Sequence, residues 1–141
     1  MADHDHYALL VADIFHAAGE LRRSGEAIAS EAGQTQARWQ VMSVISEGEW
    51  TVPDVARRLG VARQGVQRIA DELASEGLAC FETNPKHRRS PHLCLTEEGR
   101  RTLATITALA RRHNQKIIKL LTAGELAAAR DVLRRIVAAL V

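Results

Sequence analysis

Between Thr51 and Gly77 two short amphipathic segments are joined at a single glycine, and this pairing restricts the fold more than any other stretch of the chain. The first opens at Thr51, whose hydroxyl can cap the amide of Asp54. Asp54 adds favourable negative charge to the helix start, and Pro53 is tolerated in a first turn. Val52, Val55, Ala56 and Leu59 make its apolar stripe, while Arg57 and Arg58 fall outside, near a helix end that favours cations. Gly60 then supplies the residue type that takes a left-handed conformation after a helix. In the second segment Val66, Ile69, Ala70 and Leu73 recur at i, i+3, i+4 and i+7 and define one buried face. Gly77 ends it, with Leu78 placed to fold back onto Leu73 or Ala74. The pattern predicts a helix-turn-helix.

The outward face of the second segment carries Gln64, Gln67, Arg68 and Asp71, flanked by Arg63. Arginine can pair bidentately with guanine and glutamine with adenine in a major groove, so this set suits reading of duplex DNA. An arginine-bearing amphipathic helix is, however, commonly just a solvated one, and the helix pair alone leaves the question open. The following residues narrow it. Cys80 to Asn84 reads as a strand, Pro85 to Pro91 as a loop carrying Lys86, His87, Arg88 and Arg89, and His92 to Leu95 as the returning strand. Thr83 and Asn84 are expected to present polar side chains at the outgoing end of this hairpin. A wing tip with three fixed cations and no carboxylate fits a narrow minor groove or the phosphates beside a recognition helix.

Leu59-Gly-Val-Ala-Arg-Gln, Glu76-Gly-Leu, Asn84-Pro-Lys-His-Arg-Arg-Ser and Leu93-Cys-Leu-Thr-Glu-Glu-Gly99 follow one another at set distances. In their order and spacing the chain resembles the MarR (multiple antibiotic resistance regulator) family of transcription factors, over Gln36 to Arg101. The resemblance implies a mainly α fold with a small β-hairpin wing: a homodimeric winged helix-turn-helix with helical dimerisation regions at both ends of the chain. The recognition helix would be Arg63 to Glu76, and Arg89 would be the wing arginine sent into the minor groove. Two departures stand out. Where the family commonly has an aspartate two residues before that arginine, this chain has His87, which makes wing geometry sensitive to pH because histidine charges near neutrality. The recognition helix also lacks a serine or threonine cap, and Ala62 in that place costs ~1 kcal/mol of helix stability.

A chain of 141 residues with 46% hydrophobic residues is expected to form a single domain, with residues 36–101 as the DNA-binding lobe and residues 5–32 and 102–141 as dimerisation helices. The net charge is only +2, so the positive field must be local: Val55 to Ala70 holds Arg57, Arg58, Arg63 and Arg68 with no acid, and the wing adds Lys86, Arg88 and Arg89. In the first segment Tyr7, Leu10, Val11, Ile14, Ala18 and Leu21 form a helical stripe, interrupted at Gly25 and ended near Gly33. Gln36 to Ser46 reads as a shorter core helix with Trp39, Val41, Met42 and Ile45. After the wing, Thr96 can cap one long helix of about seven turns. Thr122-Ala-Gly-Glu125 is a capping box that starts the last helix, with the stripe Leu126, Ala129, Leu133, Ile136, Val137 and Leu140. These apolar faces are expected to bury each other across a two-fold axis.

The resemblance also implies a small-molecule effector cleft between the dimerisation helices and the DNA-binding lobe. His16, Trp39 and His113 are candidate lining groups, against the alternative that Trp39 is core and His113 an interface histidine. No cofactor or metal is expected: His4 and His6 flank Asp5, but a mobile amino terminus accounts for them. Cys80 and Cys94 on the two wing strands are placed as a redox pair would be, but in a cytoplasmic protein two buried small thiols are the favoured reading. The absence of an apolar leader and of any bilayer-length apolar run supports that location. No glycine-rich phosphate loop, paired metal-binding cysteine motif or nucleophile turn suggests an enzyme. A different class of function, a winged-helix module docking an acidic protein partner, would need the cations but not the exposed Gln64, Gln67 and Arg68 set.

Overall fold

Several helix starts and stops trace to one side chain or one glycine in the computed structural model, which describes Met1–Val141. Helix α1 (Asp3–Ser30) is followed by α2 (Gln36–Ile45), α3 (Val52–Leu59) and α4 (Arg63–Ser75), then by strands β1 (Ala79–Glu82) and β2 (His92–Leu95). Helices α5 (Glu97–His113), α6 (Gln115–Leu120) and α7 (Ala123–Leu140) complete the chain. Two compact units result, Met1–Leu109 and Ala110–Val141. The architecture is the expected one, mainly α with a small hairpin.

In α3 the Thr51 hydroxyl accepts from the Asp54 amide at 3.3 Å, and the Asp54 carboxylate accepts from the Thr51 amide in return. Gly60 takes φ 68° and ψ 37°, a left-handed conformation that lets the Val61 amide reach back to the Ala56 carbonyl at 3.1 Å. That closes the turn in three residues before α4 begins. Ala62 provides no side-chain cap to α4, as expected from its methyl group. Thr35 caps α2, its hydroxyl accepting from the Arg38 amide at 3.1 Å.

The core of the first unit lies where α2, α3, α4, the hairpin and the first part of α5 meet. Met42, Val55, Val66, Leu73, Leu93 and Ile106 are all essentially inaccessible to solvent there. Burial of each such side chain contributes about 1.5–3 kcal/mol. β1 and β2 pair antiparallel with Ala79 opposite Leu95, Cys80 opposite Cys94, Phe81 opposite Leu93 and Glu82 opposite His92. The Leu93 amide points away from β1 and donates to the Trp50 carbonyl at 2.8 Å, while Thr51 bridges His92. The segment before α3 thus adds one short rung to the sheet.

Several expectations are corrected. Gly25 does not interrupt the first helix; it is buried inside an unbroken α1, because a Cβ there would lie 2.7 Å from Gln36 Cγ, and its absence allows α1 and α2 to approach. The outgoing strand spans Ala79–Glu82, so Thr83 and Asn84 lie beyond it, and Asn84 turns inward and is buried. The long helix after the wing breaks at Asn114, whose backbone (φ −92°, ψ 1°) leaves the helical region between α5 and α6. Like charges four apart, Arg112 and Lys116, flank this weak helix former. The amino terminus is helical from Asp3, with Asp3 and Asp5 in its first turn. His4 and His6, two positions apart on a helix, therefore do not face each other.

Candidate nucleic-acid interface

The exposed side of α4 and the wing converge on one cleft of about 420 Å³. Its walls are Arg63, Gln64 and Gln67 from α4, Val52 and Pro53 from the start of α3, and Phe81, Arg89, Ser90 and Pro91 from the hairpin. Two guanidinium groups and two carboxamides thus face one opening over an apolar floor, with no carboxylate in the lining. The inner face of the same helix, Val66, Ala70 and Leu73, is buried, which fixes the rotation that points the polar set outward. Ile69, placed on the buried stripe by its spacing, is only half-buried.

Of the sequence-predicted interface residues, the structure brings Arg63, Gln64, Gln67 and Arg89 together. Arg68 stands one turn beyond Gln64 on the exposed face of α4, and Lys86 and Arg88 are exposed on the wing loop outside the cleft. Gln67 is already engaged, its Nε2 donating to Asp71 Oδ1 at 3.0 Å, so pairing with a base edge requires that bond to be exchanged. Arg57 is paired with Asp54, which removes one cation from the positive field expected of this stretch.

Arg38, from α2, belongs to none of the sequence motifs, yet it anchors the far end of α4. Its guanidinium makes a fork to Glu76, Nη1 to Oε2 at 2.7 Å and Nη2 to Oε1 at 2.9 Å, and lies 3.8 Å from Glu72. The hydrogen bond from Arg38 holds the Glu76 carboxyl below the usual carboxylate range, and the same bond raises Arg38, each against the desolvation that opposes it. The only sequence signal was Glu76 in the motif before Gly77; nothing in the spacing linked it to residue 38.

Cys80 and Cys94 are half-buried rather than fully buried, and are free. Burial, then a hydrogen bond to the Glu82 carboxylate, pushes the Cys94 thiol up to about 11. Near neutral pH it is a protonated, weakly nucleophilic thiol.

A second cleft, of about 560 Å³, lies among α1, α2 and the end of α3, with Trp39, Gln36, Gln40, Arg22 and Arg58 on its walls. Of the three effector candidates Trp39 alone lines it. His16 is exposed on α1, 3.9 Å from Glu20, and His113 closes α5. No helix is long and apolar enough to cross a membrane.

The chain is similar to known proteins both in sequence and in fold. The MarR family profile matches residues 32–90. Uncharacterized protein Rv2011c of Mycobacterium tuberculosis is 54% identical over 136 residues, covering 96% of this chain and 95% of the relative. Among solved structures, the transcriptional regulator BldR of Sulfolobus solfataricus superposes with a TM-score of 0.85 at 18% identity, covering 96% of this chain and 99% of that one. A MarR mutant of E. coli complexed with operator DNA does so with a TM-score of 0.72 at 22% identity, covering 96% and 99%. At these identities the structural likeness carries the fold.

Proposed function

Since the chain belongs to the MarR family of transcriptional regulators, we propose that it binds duplex DNA sequence-specifically, as a homodimer on a pseudo-palindromic operator. The observation that carries this reading is the convergence of Arg63, Gln64, Gln67 and Arg89 on one carboxylate-free cleft. α4 reads base edges in the major groove, with Gln64, Gln67 and Arg68 as the reading set. The wing lies over the adjacent minor groove, with Arg89 at the groove and Lys86 and Arg88 at the phosphates. The uncapped amides at the start of α4 suit a backbone phosphate.

Dimerisation is supported by apolar side chains left in solvent on each unit: Tyr7, Leu10 and Leu21 of α1, and Leu126, Leu133, Val137 and Leu140 of α7. Their burial across a two-fold axis sets two recognition helices roughly one helical turn, ~34 Å, apart on DNA. The cleft beside Trp39 accommodates a small-molecule effector that relieves repression. One wall of that cleft is α2, and Arg38 of α2 grips the end of α4, so displacement of the wall reaches the recognition helix.

Selection of bound duplexes from a random-sequence pool tests the proposal. An inverted repeat with one-turn spacing is the expected result. Absence of enrichment, with weak binding that vanishes at physiological salt, would instead favour a module that docks an acidic protein. On the selected operator, Arg68→Ala is expected to lose about 1–3 kcal/mol and to relax preference at one base position. Arg89→Ala should weaken binding to all sequences alike. Equal, sequence-independent losses in titrations of both variants would remove Arg68 from base reading.

A further inference from the structure

Asn84 is the buried polar side chain of this fold, 6% exposed at the base of an otherwise exposed cationic loop. A primary amide is both donor and acceptor, and here both functions are used on the loop itself. Nδ2 donates to the Ser90 carbonyl at 3.0 Å, and Oδ1 accepts from the Lys86 amide at 3.1 Å. The backbone completes the closure, with the His87 amide donating to the Asn84 carbonyl and the Ser90 amide to the His87 carbonyl, each at 3.1 Å. One side chain therefore holds both ends of the Lys86 to Ser90 segment. Arg89, the residue before the clamped carbonyl, and Ser90 itself form the wing side of the cleft facing Arg63, Gln64 and Gln67.

We propose that Asn84 is a positioning residue for DNA recognition: its amide latches the wing loop so that Arg89 is presented at a fixed place beside α4. The inference rests on the DNA-binding reading above. It also supplies a frame for the wing that is independent of the side chain at position 87. The amide is specifically required. An ionised carboxylate at this position would keep the acceptor for Lys86 but set a negative oxygen against the Ser90 carbonyl, and a methyl group would leave both partners unmatched in a buried site.

The test is a double-mutant cycle on the selected operator with Asn84→Ala, Asn84→Asp, Arg89→Ala and the Asn84→Ala/Arg89→Ala pair, each checked for thermal unfolding. Arg89→Ala is expected to weaken binding roughly tenfold to a hundredfold, as for loss of a hydrogen-bonded charge, and to lower the salt slope by about one. Asn84→Ala and Asn84→Asp should reproduce both changes, and the double variant should lose little more than Arg89→Ala alone. If the Asn84 losses add fully to that of Arg89, or if affinity falls with the salt slope unchanged, Asn84 acts on stability alone and the latch is wrong. Wild-type behaviour of Asn84→Asp would also overturn it. If Arg89→Ala and all Asn84 variants bind the selected operator like wild type, the wing has no part in DNA binding and the latch is wrong, while the DNA-binding reading stands; that reading fails instead if the wild-type protein selects no operator.

Discussion

Gly99→Ala is expected to be among the most disruptive single-methyl changes in the chain, lowering stability by about 3 kcal/mol or more. Gly99 is buried in the first turn of α5, and a Cβ built there would lie 1.9 Å from the Leu78 carbonyl oxygen and 3.1 Å from Leu95 Cδ2. The obstruction is backbone, so no rotamer change can relieve it. The same carbonyl accepts from the Thr96 amide at 3.1 Å, and the Thr96 hydroxyl donates to the Gly77 carbonyl at 2.6 Å while capping the Gly99 amide at 3.0 Å. Pushing α5 away therefore loses a cap and a sheet-edge hydrogen bond as well as packing. Thermal unfolding checks this, with Gly65→Ala as the control. Gly65 has nothing within 4 Å of an added Cβ, so that change should stabilise the DNA-free protein by up to ~1 kcal/mol. Equal melting temperatures for wild type and Gly99→Ala would show that α5 does not sit tightly on the hairpin.

Leu73→Ala should cost a comparable 2–5 kcal/mol, through the opposite kind of defect. Leu73 is wholly buried on the inner face of α4, and its truncation leaves a cavity that the surrounding α2, α3 and hairpin side chains cannot fill without distortion. The urea midpoint should fall with little change in slope. DNA affinity, measured where the variant is folded, should remain near wild type, because Gln64, Gln67 and Arg68 occupy the other side of the helix. Arg68→Ala is the mirror case, weak binding with unchanged stability. A Leu73→Ala protein that is fully folded but blind to its operator would mean that the two faces of α4 are not separable.

Those two faces were legible in the sequence because a helix with a 3.6-residue period converts spacing directly into orientation. Val66, Ala70 and Leu73 are buried where their recurrence placed them, and the Thr51 and Thr122 boxes, which need only residues three apart, formed as written. What was not legible depends on partners far away in sequence. Gly25 looked like a breaker because its reason for being glycine, Gln36, lies on another helix. Asn84 looked like a solvent-facing hairpin residue because nothing in its neighbourhood shows that it folds back on Ser90. The Arg38–Glu76 fork spans 38 residues and leaves no periodic trace. The break at Asn114 leaves no mark in the sequence for a different reason: a single non-helical residue barely disturbs the phase of an apolar stripe.

Thr51 serves two elements at once, capping α3 with its hydroxyl while its backbone bridges His92 of the wing. Because α4 follows α3 through the three-residue Gly60 turn, reader and clamp are set on a common mount, not on independent arms. For protein engineering this makes the α4 surface an exchangeable insert: replacing Gln64, Gln67 and Arg68 to retarget the molecule should leave the grip of the wing unaltered, so a new preference can be selected without redesigning the hand that holds the DNA.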